Sequence, residues 1–218
     1  MIPVLNESRS ITPTLMALQP FRRLGHEIIL VDGGSSDDTL MLAEDLVDQI
    51  IGCDKGRARQ MNYGARHAWG NILLFLHADT TLPDDALEQI NLALKKHEWG
   101  RFNVRLSGGN ILLRFIERMM NWRSCVSGVV TGDQAIFMPK STFIKVGGFA
   151  DIPLMEDIEL SKRLKKIGYP ACVKSKVITS SRRWEENGII KTILLMWQLR
   201  YAYYRGVKAE ELVKRYYP

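Results

Sequence analysis

Two runs in the first half of this chain are apolar at every position: Ile28-Ile29-Leu30-Val31 and Ile72-Leu73-Leu74-Phe75-Leu76. A strand with one face in water alternates apolar and polar residues. A strand apolar throughout must be covered on both faces, as in a parallel sheet flanked by helices. Helical periodicity lies around these runs, with Ile11, Leu15 and Leu18 before the first, Leu42, Leu46 and Ile50 after it, and Leu87, Ile90 and Leu94 after the second. The spacing predicts helices over 10–21, 39–50 and 83–95 and strands over 1–5, 27–31 and 72–76. This βαβαβ rhythm predicts an α/β domain with a mostly parallel, Rossmann-like central sheet and helices on both faces. The second half is less regular. It predicts strands at 102–106, 134–138 and 171–176 and helices at 110–122, 157–167 and 189–204.

In such a sheet, ligands bind beyond the carboxyl ends of the strands. The acids fall there. Asp32 follows the first run and leads into Gly33-Gly34-Ser35-Ser36-Asp37-Asp38-Thr39, a tight turn before a helix start that favours an anion. Asp79 follows the second run within Leu76-His-Ala-Asp-Thr80. His77 and Asp79, two residues apart, can face one way, and Asp79 suits a hard divalent cation that also holds a diphosphate. Glu156 and Asp157 open a helix, where acids oppose the dipole. Placed in a cleft, one of them can act as a base on a hydroxyl. Lys55, Arg57 and Arg59 offer cations to phosphate oxygens, and Asn62 offers an amide. Each feature alone is equally well read as a turn, a cap or a solvated face. Their combination points to an enzyme handling an activated phosphate ester.

Composition narrows the class. The 218 residues favour one domain with an appendage, taken as 1–188 with a C-terminal amphipathic extension at 189–218. A net charge of +6 permits phosphorylated ligands, an anionic membrane surface or nucleic acid. The dispersed basic residues and the lack of a recognition motif disfavour nucleic acid. Cys53, Cys125 and Cys172 are far apart and odd in number, so no disulfide is expected and a reducing cytoplasm is the predicted compartment. The apolar stretch at 193–197 is too short to span a bilayer. Aromatic and basic residues over 189–205 leave room for a peripheral contact at the inner membrane face. Only Met1 and Ile2 precede Pro3, fewer residues than a first strand usually carries, which suggests a shortened start.

The order of these motifs resembles the family 2 glycosyltransferases of GT-A fold, over residues 3 to about 184. The matching elements are Pro3-Val-Leu-Asn-Glu7, Val31 through Thr39, Gly56 through Gly64, the strand-end Asp79, Gly147-Gly-Phe149 followed by Glu156-Asp157, and Arg183-Trp184. The Leu-His-Ala-Asp-Thr form and Thr131-Gly-Asp-Gln134 resemble a small bacterial-type subgroup. Two departures stand out: His77 replaces the first acid of the usual metal pair, and Gly33 replaces a second acid after Asp32.

The resemblance implies inverting transfer of a sugar from a nucleotide-diphosphate donor to an acceptor hydroxyl, aided by Mg²⁺ or Mn²⁺. It implies Asp157 as general base supported by Glu156, with Asp79 and His77 at the metal. Pro3, Leu5, Glu7, Asp32, Arg59, Asn62 and Ala78 would line the donor site with Asp79. Asp133, Arg183 and Trp184 would face the acceptor. An oligomer is compatible with all of this. Two other readings remain open: a nucleotidyltransferase, for which the glycine- and arginine-rich loop after the first strand is missing, and a non-catalytic scaffold that kept the fold.

Overall fold

The computed structural model describes residues 1–216; residues 217 and 218, the last of the predicted extension, lie outside the described residues. In chain order, β1 (Ile2–Val4), α1 (Ile11–Arg23), β2 (Ile29–Asp32), α2 (Thr39–Ala43) and β3 (Gln49–Gly52) form the first half of the βα alternation. They are followed by α3 (Arg57–His67), β4 (Ile72–Leu74), β5 (Thr80–Thr81), α4 (Ala86–Leu94) and β6 (Gly100–Leu106). The remainder comprises α5 (Ile111–Ser127), β7 (Phe137–Pro139), α6 (Lys140–Lys145), α7 (Glu156–Leu164) and β8 (Ala171–Thr179), then α8 (Arg182–Glu186), α9 (Ile189–Tyr204) and α10 (Ala209–Tyr216).

Strands β1, β2 and β3 pair in parallel, as the apolar runs predict. A second, five-stranded sheet has the order β4-β7-β6-β8-β5 and is mixed: β6 and β8 are parallel, while β4–β7, β6–β7 and β5–β8 are antiparallel. Two main-chain bonds join the sheets where β1 meets the β4 segment. The Met1 amine donates to the Leu74 carbonyl at 2.8 Å, and Leu76 N–H donates to the Met1 carbonyl at 3.0 Å. The parallel half therefore matches the expected sheet, and the antiparallel pairs belong to the less regular second half.

Helices cover both faces. On one, Ile11, Leu15 and Leu18 of α1 and Ala86 and Ile90 of α4 pack with Leu30, Phe102 and Phe137. On the other, Ala58 and Met61 of α3, Phe143 of α6 and Leu160 and Leu164 of α7 pack with Ile29, Val31 and Leu73. Gly64 allows α3 to sit close, since a Cβ there would lie 2.8 Å from Val31 and 2.9 Å from the Met1 sulfur.

One helix is shorter than predicted. The pattern at 39–50 becomes α2 plus a 3₁₀ turn at Glu44–Leu46, and Gln49 already belongs to β3. Tertiary bonds override propensity here. Gln19 donates to the Leu46 carbonyl, Arg22 donates to the Asp45 and Val47 carbonyls, and the Asp48 carboxylate accepts the Ile28 N–H at 2.7 Å.

The cysteine expectation is also corrected: Cys125 of α5 and Cys172 of β8 are disulfide-bonded. They are 47 residues apart, but α5 lies on β6 and β6 pairs with β8, which brings the two Cα atoms to 5.8 Å. That distance suits a bridge. Cys53 remains a free thiol.

Candidate functional site

The tips of β1 and β2 are held together before any ligand arrives. Asp32 is buried, and its carboxylate accepts N–H bonds from Gly34 and Ser35 and the Ser35 hydroxyl at 2.6 Å. The Asn6 N–H donates to the Ser35 hydroxyl, the Asn6 side chain accepts the Ser36 N–H, and the Glu7 N–H donates to the Thr39 hydroxyl at 2.7 Å. Asp37 accepts from the Thr39 hydroxyl and the Ser8 N–H, which hold its carboxyl down to about 2. Buried Gln60 donates to the carbonyls of both Val4 and Val31 at 2.7 Å. The Pro3–Glu7 and Asp32–Thr39 motifs are thus one preorganised rim. Ser35, Asp37 and Thr39 belong to the turn and Gln60 to α3, and their latching role is visible only in three dimensions.

The acid pair converges with the 77–79 segment. Asp157 opens α7 with one oxygen accepting the Ile158 N–H at 2.7 Å and the other accepting the Gly132 N–H at 2.8 Å. Gly132 in turn lies against His77: a Cβ at 132 would sit 2.5 Å from His77 Nε2. Arg57 links the same residues from α3, with its guanidinium 3.7 Å from the Glu156 carboxylate and its charge opposing protonation of His77. Residues 57, 77, 132 and 156–157, remote in sequence, therefore share one cleft.

The charge states follow from burial. Desolvation pushes Glu156 up to about 7, with the neighbouring Asp157 adding to the shift and Arg57 opposing it. Because Glu156 holds its proton in the folded protein where an unfolded glutamate has lost it, stability should decline from about pH 4.5 to about 7 and level off above. Thermal melts across this range should therefore slope less for Glu156→Gln than for the wild type. Equal slopes would remove Glu156 as the buried acid.

His77 is pushed down to about 3, first by burial and then by Arg57, so its ring is neutral. Its Nε2 is enclosed and has no hydrogen-bond partner. Among the described residues, no group of three or more His, Cys, Asp or Glu gathers to form a protein cage for a cation. His77 can offer a cation only its other ring nitrogen, because Nε2 is closed in against Gly132. Asp79, half-buried at the end of the β4 segment, fits better. A cation of the Mg²⁺ type is commonly held by one or two carboxylates together with substrate phosphates.

A second polar group borders Asp157. Burial raises the Asp133 carboxyl, and its Oδ1 has no partner. Arg123 of α5 donates to the Val129 carbonyl and leaves Nη2 enclosed without one. Burial lowers Arg123 to about 10, and Arg200 of α9 adds to the shift. Both arginines read in sequence as ordinary basic residues of amphipathic helices, and no local signal marks them.

Backbone conformation is unusual at the same places. Asn6, Ala135 and Met155 adopt positive φ values of 55°, 47° and 70° without being glycine. Each such residue costs about 1–3 kcal/mol and persists only where its surroundings over-determine it. Met155 immediately precedes the acid pair.

Other predicted site residues are placed differently. Asn62 clamps Phe149, donating to its carbonyl and accepting its N–H, both at 2.8 Å, and Gly148 packs on that amide with φ +68°. Arg59 pairs with Asp151 at 2.8 Å near the surface. The Ala78 carbonyl accepts the Thr14 hydroxyl, and Pro3 and Leu5 are half-buried along β1 and its exit. Arg183 stacks on Tyr216 at 3.6 Å, and Trp184 packs with Leu106, Leu113, Ile116 and Ile193. An open recess of about 680 Å³ between α7 and the α9–α10 turn, lined in part by Glu159, Lys162 and Tyr203, contains none of the candidate catalytic side chains.

Comparison with known proteins agrees with this architecture. Solved structures similar in fold include a mannosyltransferase of Pyrobaculum calidifontis in complex with GDP-Man and Mn²⁺, at TM-score 0.61 and 19% identity over 82% of this chain and 55% of that one. Another is glucosyl-3-phosphoglycerate synthase of Mycobacterium tuberculosis with Mn²⁺ and UDP-glucose, at TM-score 0.58 and 16% identity over 82% of this chain and 67% of that one. The fold is that of the GT-A glycosyltransferases. A probable glycosyltransferase of Bacillus subtilis, YdaM, is 27% identical over 94% of this chain and 54% of its own length. The chain spans about half the length of the first curated relatives it matches. The model of glycosyl transferase family 2 matches residues 1–133, which is more than half of the chain. With its latched strand tips and its acid pair at the cleft, the chain belongs to glycosyl transferase family 2.

Proposed function

We propose that this chain transfers a sugar from a nucleotide-diphosphate donor to an acceptor hydroxyl with inversion, using Asp157 as general base. The observation that carries this reading is the approach of Asp157 to the 77–79 segment across Gly132. Each Asp157 oxygen accepts one backbone N–H, so each keeps a lone pair for a substrate proton. The acceptor oxygen attacks the anomeric carbon from the face opposite the diphosphate. Its proton passes to Asp157 while the bond from that carbon to the diphosphate oxygen breaks. Glu156, neutral up to about pH 7, stands beside the base without adding a full charge.

The latched rim of Pro3–Glu7 and Asp32–Thr39 receives the nucleoside, and Arg57 lies where it can face phosphate. Asp79 would hold the divalent cation, which supplies charge neutralisation for the departing diphosphate. Asp133 faces the acceptor side in this reading, with the charge of Arg123 beside it. Trp184 serves this reading by supporting α9 and Arg183 by holding α10 through Tyr216.

A panel of UDP-, GDP-, CDP- and dTDP-sugars with Mn²⁺, read as release of nucleoside diphosphate, tests the proposal. Release from one donor class supports it, and none from any class overturns it. In calorimetry, Asp79→Ala should weaken Mn²⁺-dependent nucleoside diphosphate binding at least roughly tenfold, since even indirect supports of a metal ligand carry that much. Unchanged binding would refute Asp79 as a ligand.

A further inference from the structure

Helices α5 and α9 are related at two places. Leu113 and Ile116 of α5 pack in one cluster with Ile189 and Ile193 of α9, and nearer the other ends Arg123 feels the charge of Arg200. Their outer sides are also apolar. On α5, Phe115, Met119, Trp122 and Val126 are exposed, and on α9, Leu194, Trp197, Tyr201 and Tyr204 are. These spacings of three and four residues make one stripe on each helix. A helix that is apolar on both its packed and its outer side is ordinarily covered on both. A contiguous apolar patch of this kind marks an interaction surface.

The charges decide what covers it. Arg118, Lys191 and Arg205 are exposed on or at the ends of the two helices. Helix α9 contains no acid. The sole carboxylate of α5, Glu117, is buried, with Arg114 at 2.8 Å. The acids around them belong to neighbouring helices: Glu185 and Glu186 to α8, Glu210 and Glu211 to α10, and Glu159, whose charge reaches Tyr203, to α7. A second copy docked on this face would set arginine and lysine against their own kind. On α5 and α9 themselves an anionic surface would meet exposed cations and no exposed carboxylate. The Trp and Tyr rings have an apolar body and a polar tip, which suits the boundary between headgroups and acyl chains.

We infer that the paired outer face of α5 and α9 docks on an anionic lipid bilayer, lying in the plane of the interface. No helix among the described residues is long and apolar enough to cross a membrane, so the contact is one of a face and not of a span. The inference goes beyond the transfer reaction and does not need it. Its link to the site is positional: α5 and α9 also carry Arg123 and Arg200, so docking brings the Asp133 side of the cleft near the headgroups.

Vesicle flotation with the full chain tests this. The wild type should float with vesicles of equal parts phosphatidylglycerol and phosphatidylcholine. It should not float with phosphatidylcholine alone, and added salt should weaken the binding. Trp122→Ser and Trp197→Ser should each lower vesicle affinity roughly tenfold, the scale of one aromatic withdrawn from burial. Their side chains are 63% and 65% exposed, so circular dichroism and melting temperature should not change. Arg118→Glu with Lys191→Glu should lower affinity by at least about tenfold, at roughly 1 kcal/mol per basic residue. Asp157→Asn should float like the wild type, which separates this inference from the catalytic one. Absence of flotation overturns it, as does equal flotation of the tryptophan variants. A dimer in light scattering that the tryptophan variants dissociate, with no vesicle binding, assigns the face to a second copy and also overturns it.

Discussion

Asp157→Asn is expected to cut sugar transfer by roughly a hundredfold or more while leaving donor binding intact. The amide keeps the size of the carboxylate. Through its oxygen it can still accept the N–H of Gly132 or Ile158, so the entry to α7 should survive. It cannot take the acceptor proton as oxygen attacks the anomeric carbon. A steady-state assay should therefore show a fall in kcat with nucleoside diphosphate affinity unchanged. Turnover within a few-fold of the wild type would remove Asp157 from the role. Loss of donor binding together with turnover would mean that the change had disturbed the rim and not the chemistry.

The second large effect concerns the bridge between α5 and β8. Opening the Cys125–Cys172 disulfide, by reductant or by Cys125→Ser, should lower stability by about 4 kcal/mol, the chain-entropy value for a closed loop of this length. The loop it closes runs from the last turn of α5 through the Thr131–Gln134 turn and the acid pair to β8. Chemical denaturation with and without reductant should show the difference in midpoint at nearly equal slope. Coincident curves would show that the bridge contributes nothing to the folded state.

How much of this could be read from the chain depended on whether the signal was local. The apolar run at 28–31 located β2 because burial on both faces leaves a mark on every residue, and the run at 72–76 located β4 although Ile72 at its start is exposed. Asp32 and the acid pair were legible for the same reason: strand ends and helix starts have local signatures. The mixed second sheet was less so, because β7 has three residues and its partners lie far away in sequence. Helix α2 was overestimated because Gln19, Arg22 and Asp48 end it through long-range bonds. The spacing of His77 and Asp79 was visible in the sequence, whereas the enclosure of His77 Nε2 against Gly132 was not. The disulfide was missed because Cys125 and Cys172 meet only through the packing of α5 on β6 and the pairing of β6 with β8. Arg123 and Arg200 owe their place to the approach of two helices, which no single helix pattern contains.

The order in which the strands interleave bears on how the molecule is made. Strand β4 pairs with β7, and β6 pairs with both β7 and β8, so the middle of the sheet is filled by segments synthesised late. Until residue 171 has left the ribosome, the nascent first half carries strands with open flanks and no neighbour to close them. Open strand flanks are templates for wrong pairing. Efficient production of this protein should therefore depend on chaperones that shield the growing chain until its late strands slot between the early ones.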